Sequence, residues 1–170
     1  MNIYGITGYK NAGKTGLTER LVAHFTARGL RVSTVKHAHH SFDLDRPGKD
    51  SHRHRVAGAG EVMLVSGNRW ALLHELKDAP EPPLEELLAK MAPCDLVLVE
   101  GFKSGPQPKI ECWRAEVAHP LLYPTDPSVR ALACDAPPPD PHDDKTRAVM
   151  RLDLDDTGAI ADFIAADLGL

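Results

Sequence analysis

The chain has 170 residues, of which 42% are hydrophobic and 26% are charged, and its formal net charge is -4. This length suits one α/β domain that buries a core without disulfides or structural metals. The net negative charge gives no electrostatic reason to expect nucleic acid or an anionic membrane as a partner. We therefore expect a globular protein that binds neither.

The cysteines and the N-terminal segment together predict the cellular compartment. Cys94, Cys112 and Cys134 are far apart and form no C-x-x-C pair, so their spacing predicts neither a zinc ribbon nor a disulfide framework. The N-terminal segment has no basic stretch followed by a long apolar run. No window approaches the roughly 18 consecutive apolar residues of a membrane span. We expect a cytoplasmic protein in a reducing environment.

The first part of the chain predicts a strand, a helix and a second strand. Residues 2–7 form a short apolar run that leads into a glycine-rich turn. Apolar residues then recur at helical spacing between residues 17 and 25, and Gly29 follows as a stop signal. Residues 30–35 predict the next strand. This βαβ order favours a parallel sheet.

The rest of the chain predicts one domain, residues 1–170, with an elaborated middle segment at about 36–80. The prolines and aspartates of residues 135–147 predict a loop. The other predicted elements are, in chain order, a short helix capped by Ser51, strands at 62–65 and 70–76, a helix at 84–91, strands at 95–99, 109–113, 129–134 and 149–154, and a final helix at 157–168.

The turn after the first predicted strand matches G-x-x-x-x-G-K-[ST], the P-loop pattern, with the sequence GYKNAGKT. Glycines let the backbone N–H groups point inward around a phosphate, and the helix that follows adds its positive end. A lysine in this pattern reaches the β- and γ-phosphates, and the hydroxyl after it ligates Mg²⁺. The fold class is therefore predicted to be α/β, a P-loop NTPase-type three-layer fold with a mostly parallel sheet. The predicted phosphate-binding residues are Gly8, Asn11, Ala12, Gly13, Lys14, Thr15 and Gly16.

A second ligand for Mg²⁺ is expected at the end of a neighbouring strand. Glu100 directly follows the apolar run DLVLV and is the predicted partner of Thr15 at the metal. Asp95 begins the same run, so it is expected at the opposite end of the strand in a structural role.

Five histidines lie between residues 37 and 54, together with several acidic and basic residues. Three interpretations stay open: an anion-binding surface for phosphate or a pterin, a transition-metal site, or a solvated loop. Asp43 or Asp50 is a further candidate for sensing the γ-phosphate and Mg²⁺. The candidate substrate or switch surface comprises His37, His39, His40, Lys49 and Arg53.

The sequence shows neither which nucleobase is bound nor which residue would act as a general base in hydrolysis. An N-K-x-D guanine motif is absent, and Asp135, after a predicted strand, is the candidate for a guanine contact. The chemistry of these residues does not choose between GTP and ATP. No fixed arginine finger or strong base is apparent, so we expect at most slow hydrolysis, below about 1 s⁻¹.

Three blocks of this sequence resemble the MobB family, the molybdopterin-guanine dinucleotide biosynthesis adaptors. These blocks are GYKNAGKTGL, VKHAHHSFDLDRPGKDSHRHRVAGA and LVLVEGFKSGPQPKIECWR. The resemblance covers roughly residues 2–115, about two thirds of the chain. In several relatives of this broad class a second lysine directly follows the first P-loop glycine, whereas this chain has Tyr9 there and Lys10 one place later.

The resemblance implies GTP and Mg²⁺ as ligands, a homodimer, and an adaptor role beside the guanylyltransferase that joins GMP to molybdopterin. It also implies that the protein's own GTPase activity is weak. Three alternatives stay open: a nickel-type metal-delivery GTPase that uses the histidines, an ATP-dependent small-molecule kinase, and an interaction module with a vestigial P-loop.

Overall fold

A computed structural model of the protein describes residues 1–38, 45–138 and 148–170. These residues form two compact units, Met1–His37 with Met91–Leu170, and Ala38–Lys90. The second unit contains most of the predicted middle segment. The prediction of one domain over residues 1–170 stays a prediction. Of the loop predicted at 135–147, residues 139–147 lie outside the described residues.

The described residues contain eight strands and four helices. In chain order they are β1 (Asn2–Thr7), α1 (Lys14–Ala27), β2 (Val32–Lys36), α2 (Asp50–Val56), β3 (Glu61–Val65), β4 (Trp70–His74), α3 (Leu84–Ala89), β5 (Leu96–Glu100), β6 (Lys109–Trp113), β7 (Val129–Cys134), β8 (Met150–Asp153) and α4 (Thr157–Leu168).

The first unit is built on a six-stranded sheet in the order β2-β5-β1-β6-β7-β8. Every pair of neighbouring strands in this sheet is parallel. β5 is buried along its whole length, as its continuous apolar run predicts for a central parallel strand. The predicted α/β class with a mostly parallel sheet is confirmed.

The two faces of this sheet carry separate cores. Alternate residues of a strand point to opposite faces. Ile110 and Cys112 join the larger cluster, which includes the inward faces of α1 and α4. Trp113 belongs to a second cluster, with Tyr123 from the irregular segment between β6 and β7. Helices α1 and α4 therefore pack on one face of the sheet, and the segment between β6 and β7 packs on the other.

The ends of α1 are set by two glycines in left-handed backbone conformations. Gly13, with φ 95°, is the N-cap residue. After Arg28, Gly29 has φ 86° and Leu30 donates its N–H to the Phe25 carbonyl, which closes the helix in the manner of a Schellman motif. Leu30 is used in this closure, so β2 begins at Val32 and not at residue 30 as predicted.

The second unit contains α2, α3 and an antiparallel hairpin of β3 and β4. The predicted hairpin is confirmed, although β4 ends at His74 and not at residue 76. The predicted capping role of Ser51 is wrong. Lys49 is the N-cap residue of α2, and the Ser51 hydroxyl donates to Asp45 Oδ1 at 2.5 Å.

Candidate functional site

The P-loop connects the carboxyl end of β1 to α1 and has three residues with positive φ. Gly8 has φ 135°, and a Cβ at this position would lie 2.5 Å from the Cys112 carbonyl oxygen. Asn11 has φ 64° and Gly13 has φ 95°. The glycines of the sequence motif therefore stand where the backbone conformation excludes most side chains.

The N-terminus of α1 carries the electrostatics expected of an anion site. In this fully described helix, no side chain caps the first turn and no acidic residue lies in it. The first N–H groups of a helix have no intrahelical partners, and the helix dipole places partial positive charge there. Lys14, Thr15 and Gly16 form this first turn. An anion such as a phosphate is the natural partner for these groups.

Lys14 is half-buried beside the loop. Its Nζ donates to the Tyr9 carbonyl oxygen at 2.6 Å. Burial lowers the pKa of Lys14, and the neighbouring ammonium groups of Lys103 and Lys36 lower it further. The opposing influence of Glu100 does not cancel these effects. A bound polyphosphate would place negative charge beside the ammonium groups of Lys14, Lys36 and Lys103.

Thr15, Glu100 and Lys36 form a contact triangle beside the P-loop. The Thr15 hydroxyl donates to Glu100 Oε1 at 2.9 Å. Lys36 Nζ lies 3.1 Å from Glu100 Oε1 and 3.3 Å from Thr15 Oγ1. Neighbouring ligands of octahedral Mg²⁺, each at about 2.1 Å, lie about 3 Å apart. The hydroxyl and carboxylate oxygens therefore have both the chemistry and the separation of a Mg²⁺ ligand pair.

Sheet register sets this triangle. Glu100 is the last residue of β5, and it pairs with Ile6 of β1 on one side and with Lys36 of β2 on the other. The chain then turns at Gly101, which has φ 93° and whose Cβ would lie 2.9 Å from His37 Cβ. The His37 N–H donates to the Glu100 carbonyl at 2.8 Å. The ends of β2 and β5 are therefore fixed together next to α1.

An aromatic and cationic cluster lies on the P-loop itself. The ring of Tyr9 stacks on His119 with centroids 4.6 Å apart. Lys103 Nζ lies 4.2 Å from the centroid of the Tyr9 ring. The indole N–H of Trp113 donates to the His119 carbonyl at 2.9 Å. Segments that follow β5 and β6 thus contact the P-loop at Tyr9.

Asp135 lies directly after β7, at the carboxyl edge of the sheet. Its Oδ1 accepts from the Ala115 N–H at 2.9 Å, and its Oδ2 lies 3.8 Å from Arg114 Nη1. Arg114 also packs against the P-loop, since a Cβ on Gly13 would lie 3.0 Å from its Nε. The carboxylate proposed to contact guanine therefore links the loops after β6 and β7.

The other predicted site residues are distributed differently. The ring of His37 packs against Phe102 with centroids 4.7 Å apart. Asp50 and Arg53 lie in the second unit, on the exposed surface of α2, where their side chains approach to 3.9 Å. His39, His40 and Asp43 lie outside the described residues. Lys49 is the N-cap of α2.

Sequence reasoning missed three basic residues that contact the site: Lys36, Lys103 and Arg114. Each follows or ends a strand at the carboxyl edge, which is the edge where α/β sheets bind ligands. Asking which cations stand at the ends of predicted parallel strands would have found all three. The sequence motifs by themselves single out only an acidic residue, Glu100, at such a position.

In residues 1–38, 45–138 and 148–170, no group of three or more His, Cys, Asp and Glu side chains could hold a metal ion. Within the same ranges, no helix has the length and apolar character needed to cross a bilayer.

Comparisons with known proteins agree on one family. A family model described as molybdopterin guanine dinucleotide synthesis protein B, MobB, matches residues 3–135. The molybdopterin-guanine dinucleotide biosynthesis adapter protein of Haemophilus influenzae is 42% identical over 165 residues, which is 95% of this chain and 86% of that protein. The protein of the same name from Escherichia coli is 37% identical over 165 residues, 95% of this chain and 90% of that protein. The crystal structure of a MobB homolog from Bacillus stearothermophilus matches with a TM-score of 0.69 at 27% identity and covers 99% of both chains.

Proposed function

The chain belongs to the MobB family, and we propose that it is a GTP-binding adaptor in molybdopterin-guanine dinucleotide synthesis. In this role it assists the guanylyltransferase that joins GMP to molybdopterin, and it acts in the cytoplasm. The proposal rests on the family, whose named relatives match 95% of this chain. It rests also on one structural observation, the contact between Thr15 and Glu100 at the mouth of the P-loop.

That contact favours a Mg²⁺–triphosphate. The N–H groups of the first turn of α1 and the Lys14 ammonium would bind the β- and γ-phosphates. Thr15 Oγ1 and Glu100 Oε1, 2.9 Å apart, would hold Mg²⁺. Held there, Mg²⁺ would offset the negative charge of the phosphates. Glu100 is 8% exposed, so it presents a desolvated carboxylate to the metal.

Hydrolysis is expected to be slow because Glu100 and Arg114 are each engaged by other residues. Glu100 is engaged with Thr15 and Lys36, so it is a poor base for activating water. Arg114 is drawn toward Asp135, which restrains it from acting as an arginine finger. A protein that binds the triphosphate and leaves it intact suits an adaptor better than a catalyst.

We propose that the loops after β6 and β7 give the site its preference for guanine. Asp135 and Arg114 stand there, at the same edge of the sheet as the P-loop. A carboxylate can accept from the N1 and N2 groups of guanine and has no matching donors on adenine. The Ala115 N–H binds Oδ1 of Asp135, and Oδ2, which lies 3.8 Å from Arg114 Nη1, would exchange that ion pair for the contact with guanine.

The homodimer is proposed to form through the hairpin of β3 and β4. Met63 and Leu72 stand opposite each other, as do Val65 and Trp70, so these four apolar side chains share one face. Val65 is 74% exposed and Trp70 is 66% exposed. A two-stranded sheet with such a face is marginal alone and marks an interaction surface. A second copy of this chain offers the same apolar face, which suits a two-fold interface.

The test compares wild type with Lys14→Ala by isothermal titration with GTP, GDP and ATP in the presence of Mg²⁺. Wild type should bind GTP in preference to ATP, and Lys14→Ala should weaken GTP binding about 100-fold, since it removes a charged contact to phosphate. Lys90→Ala removes an exposed lysine after α3 and serves as the matched control. Equal GTP affinity for wild type and Lys14→Ala would contradict the proposal.

The adaptor role is tested with the guanylyltransferase. Adding this protein should raise the rate of molybdopterin-guanine dinucleotide formation, and Lys14→Ala should remove the increase. Micromolar Ni²⁺ or Zn²⁺ binding together with no effect on the guanylyltransferase would favour the metal-delivery alternative. Phosphoryl transfer from ATP to a small acceptor would favour the kinase.

A further inference from the structure

Lys36 is the only cation that directly touches the proposed Mg²⁺ ligand pair in the described part of the chain. Its Nζ lies 3.1 Å from Glu100 Oε1 and 3.3 Å from Thr15 Oγ1. It is therefore within reach of the place where a metal and a terminal phosphate would lie.

The position of Lys36 is built into the sheet. Residue 36 pairs with Glu100 across the parallel β2–β5 ladder, so both side chains leave the same face at the carboxyl edge. The His37 N–H bond to the Glu100 carbonyl extends this pairing past the strand end. The backbone of Lys36 is thus fixed relative to the P-loop.

The ammonium itself is free to change partner. The Lys36 side chain is 58% exposed, whereas that of Glu100 is 10% exposed. Because both cations need the same oxygens, Mg²⁺ bound to Glu100 and Thr15 would displace the Lys36 ammonium. The flexible four-carbon stem allows a shift of a few ångströms without moving the strand. The terminal phosphate of a nucleotide held in the P-loop would then be the anion within reach of the displaced ammonium.

We propose that Lys36 binds the terminal phosphate of the nucleotide and gives the site its preference for the triphosphate over the diphosphate. This inference rests on the proposed function, since it assigns a further residue to the same nucleotide site. Lys14 binds a phosphate that both nucleotides can present. Lys36 acts only on the phosphate that GDP lacks.

The test measures the affinities of Mg²⁺–GTP and Mg²⁺–GDP for wild type, Lys36→Met and Lys36→Arg. Methionine keeps most of the unbranched side chain and removes its charge. Lys36→Met should weaken GTP binding about tenfold and leave GDP binding unchanged, as expected for loss of one charged contact. Lys36→Arg should retain most of the GTP preference. Unchanged GDP affinity also reports that the variant is folded.

Two controls make the outcome decisive. Arg28→Met removes an exposed cation at the opposite end of α1, and it should leave both affinities unchanged. Lys14→Ala separates the two proposals, because it should weaken both nucleotides. If Lys14→Ala loses binding while Lys36→Met weakens GTP and GDP equally, or weakens neither, the role of Lys36 is wrong and the nucleotide site stands. If Lys14→Ala binds normally, the nucleotide site itself is wrong.

Discussion

The two compact units of this protein use their apolar side chains in opposite ways. In the six-stranded sheet, Leu96, Val97, Leu98 and Val99 of β5 are all fully buried between neighbouring strands and the two cores. In the hairpin of the second unit, the apolar pairs Met63–Leu72 and Val65–Trp70 stay more than a third exposed. The first unit completes its own core, whereas the hairpin leaves apolar surface in water.

The two units also differ in whether their buried or apolar groups have partners within the same unit. The first unit also buries charged groups, and each has partners inside the same unit. The Glu111 carboxylate accepts the N–H groups of Leu122 and Tyr123 at 2.8 and 2.9 Å, while burial raises its pKa. The first unit therefore satisfies its buried charges without the second unit. A hairpin with an uncovered apolar face needs another surface to cover it.

The largest effect is expected from a substitution in the hairpin. Trp70→Glu places a charge in the proposed dimer face, so it should weaken self-association by about 2 kcal/mol or more, which is at least about 30-fold. The stability of the six-stranded sheet should not change. Sedimentation over a range of protein concentrations measures this shift directly.

Met150→Glu is the matched control for that substitution. Met150 is also exposed and apolar, but it lies on the edge strand β8 of the larger sheet. It should leave self-association unchanged. A wild-type protein that stays monomeric at all concentrations, or a Trp70→Glu variant that associates as wild type does, would rule out the hairpin interface.

A smaller effect is expected from Gly5→Ala, which tests how tightly the first unit is packed. A Cβ at Gly5 of β1 would lie 2.7 Å from Lys109 Cγ. Lys109 is 0% exposed and its Nζ donates to the Gly105 carbonyl at 2.5 Å, so it cannot move aside. Gly5→Ala should therefore lower the free energy of unfolding by about 1–3 kcal/mol.

Gly60→Ala is the counterpart in the second unit. No atom lies within 4 Å of a Cβ built at Gly60, so this change should alter stability by less than about 0.5 kcal/mol. Urea denaturation of both variants measures the difference. Equal destabilisation by the two substitutions would show that the first unit is not the more tightly packed one.

The smallest effect concerns acid stability at the start of β5. Hydrogen bonds from the Arg31 guanidinium and N–H lower the pKa of Asp95 to about 2, from its usual 3.8. Because the folded-state pKa is depressed, this stabilisation is present above about pH 4 and is lost as pH falls toward 2. Asp95→Asn should remove that part of the acid dependence, which thermal unfolding between pH 2 and 5 would measure. A wild-type pH profile in Asp95→Asn would contradict this assignment.

Much of the fold was predictable because its signals are local. The glycine spacing of the P-loop, the helical period of α1 and the continuous apolar run of β5 each depend on neighbours in the chain. The same run correctly placed Asp95 at the amino end of its strand in a structural role. It also placed Glu100 at the carboxyl edge, where the structure brings it against Thr15.

Only the tertiary structure decided which distant residues meet. Lys36 reaches Glu100 because β5 inserts between β2 and β1, an order that no local pattern encodes. The same holds for Lys109 passing Gly5 and for Lys103 over the Tyr9 ring. Strand order and register follow from how the whole set of apolar faces packs together, so they emerge only when the complete sheet forms. The sequence by itself determined the phosphate loop, and packing determined which charges surround it.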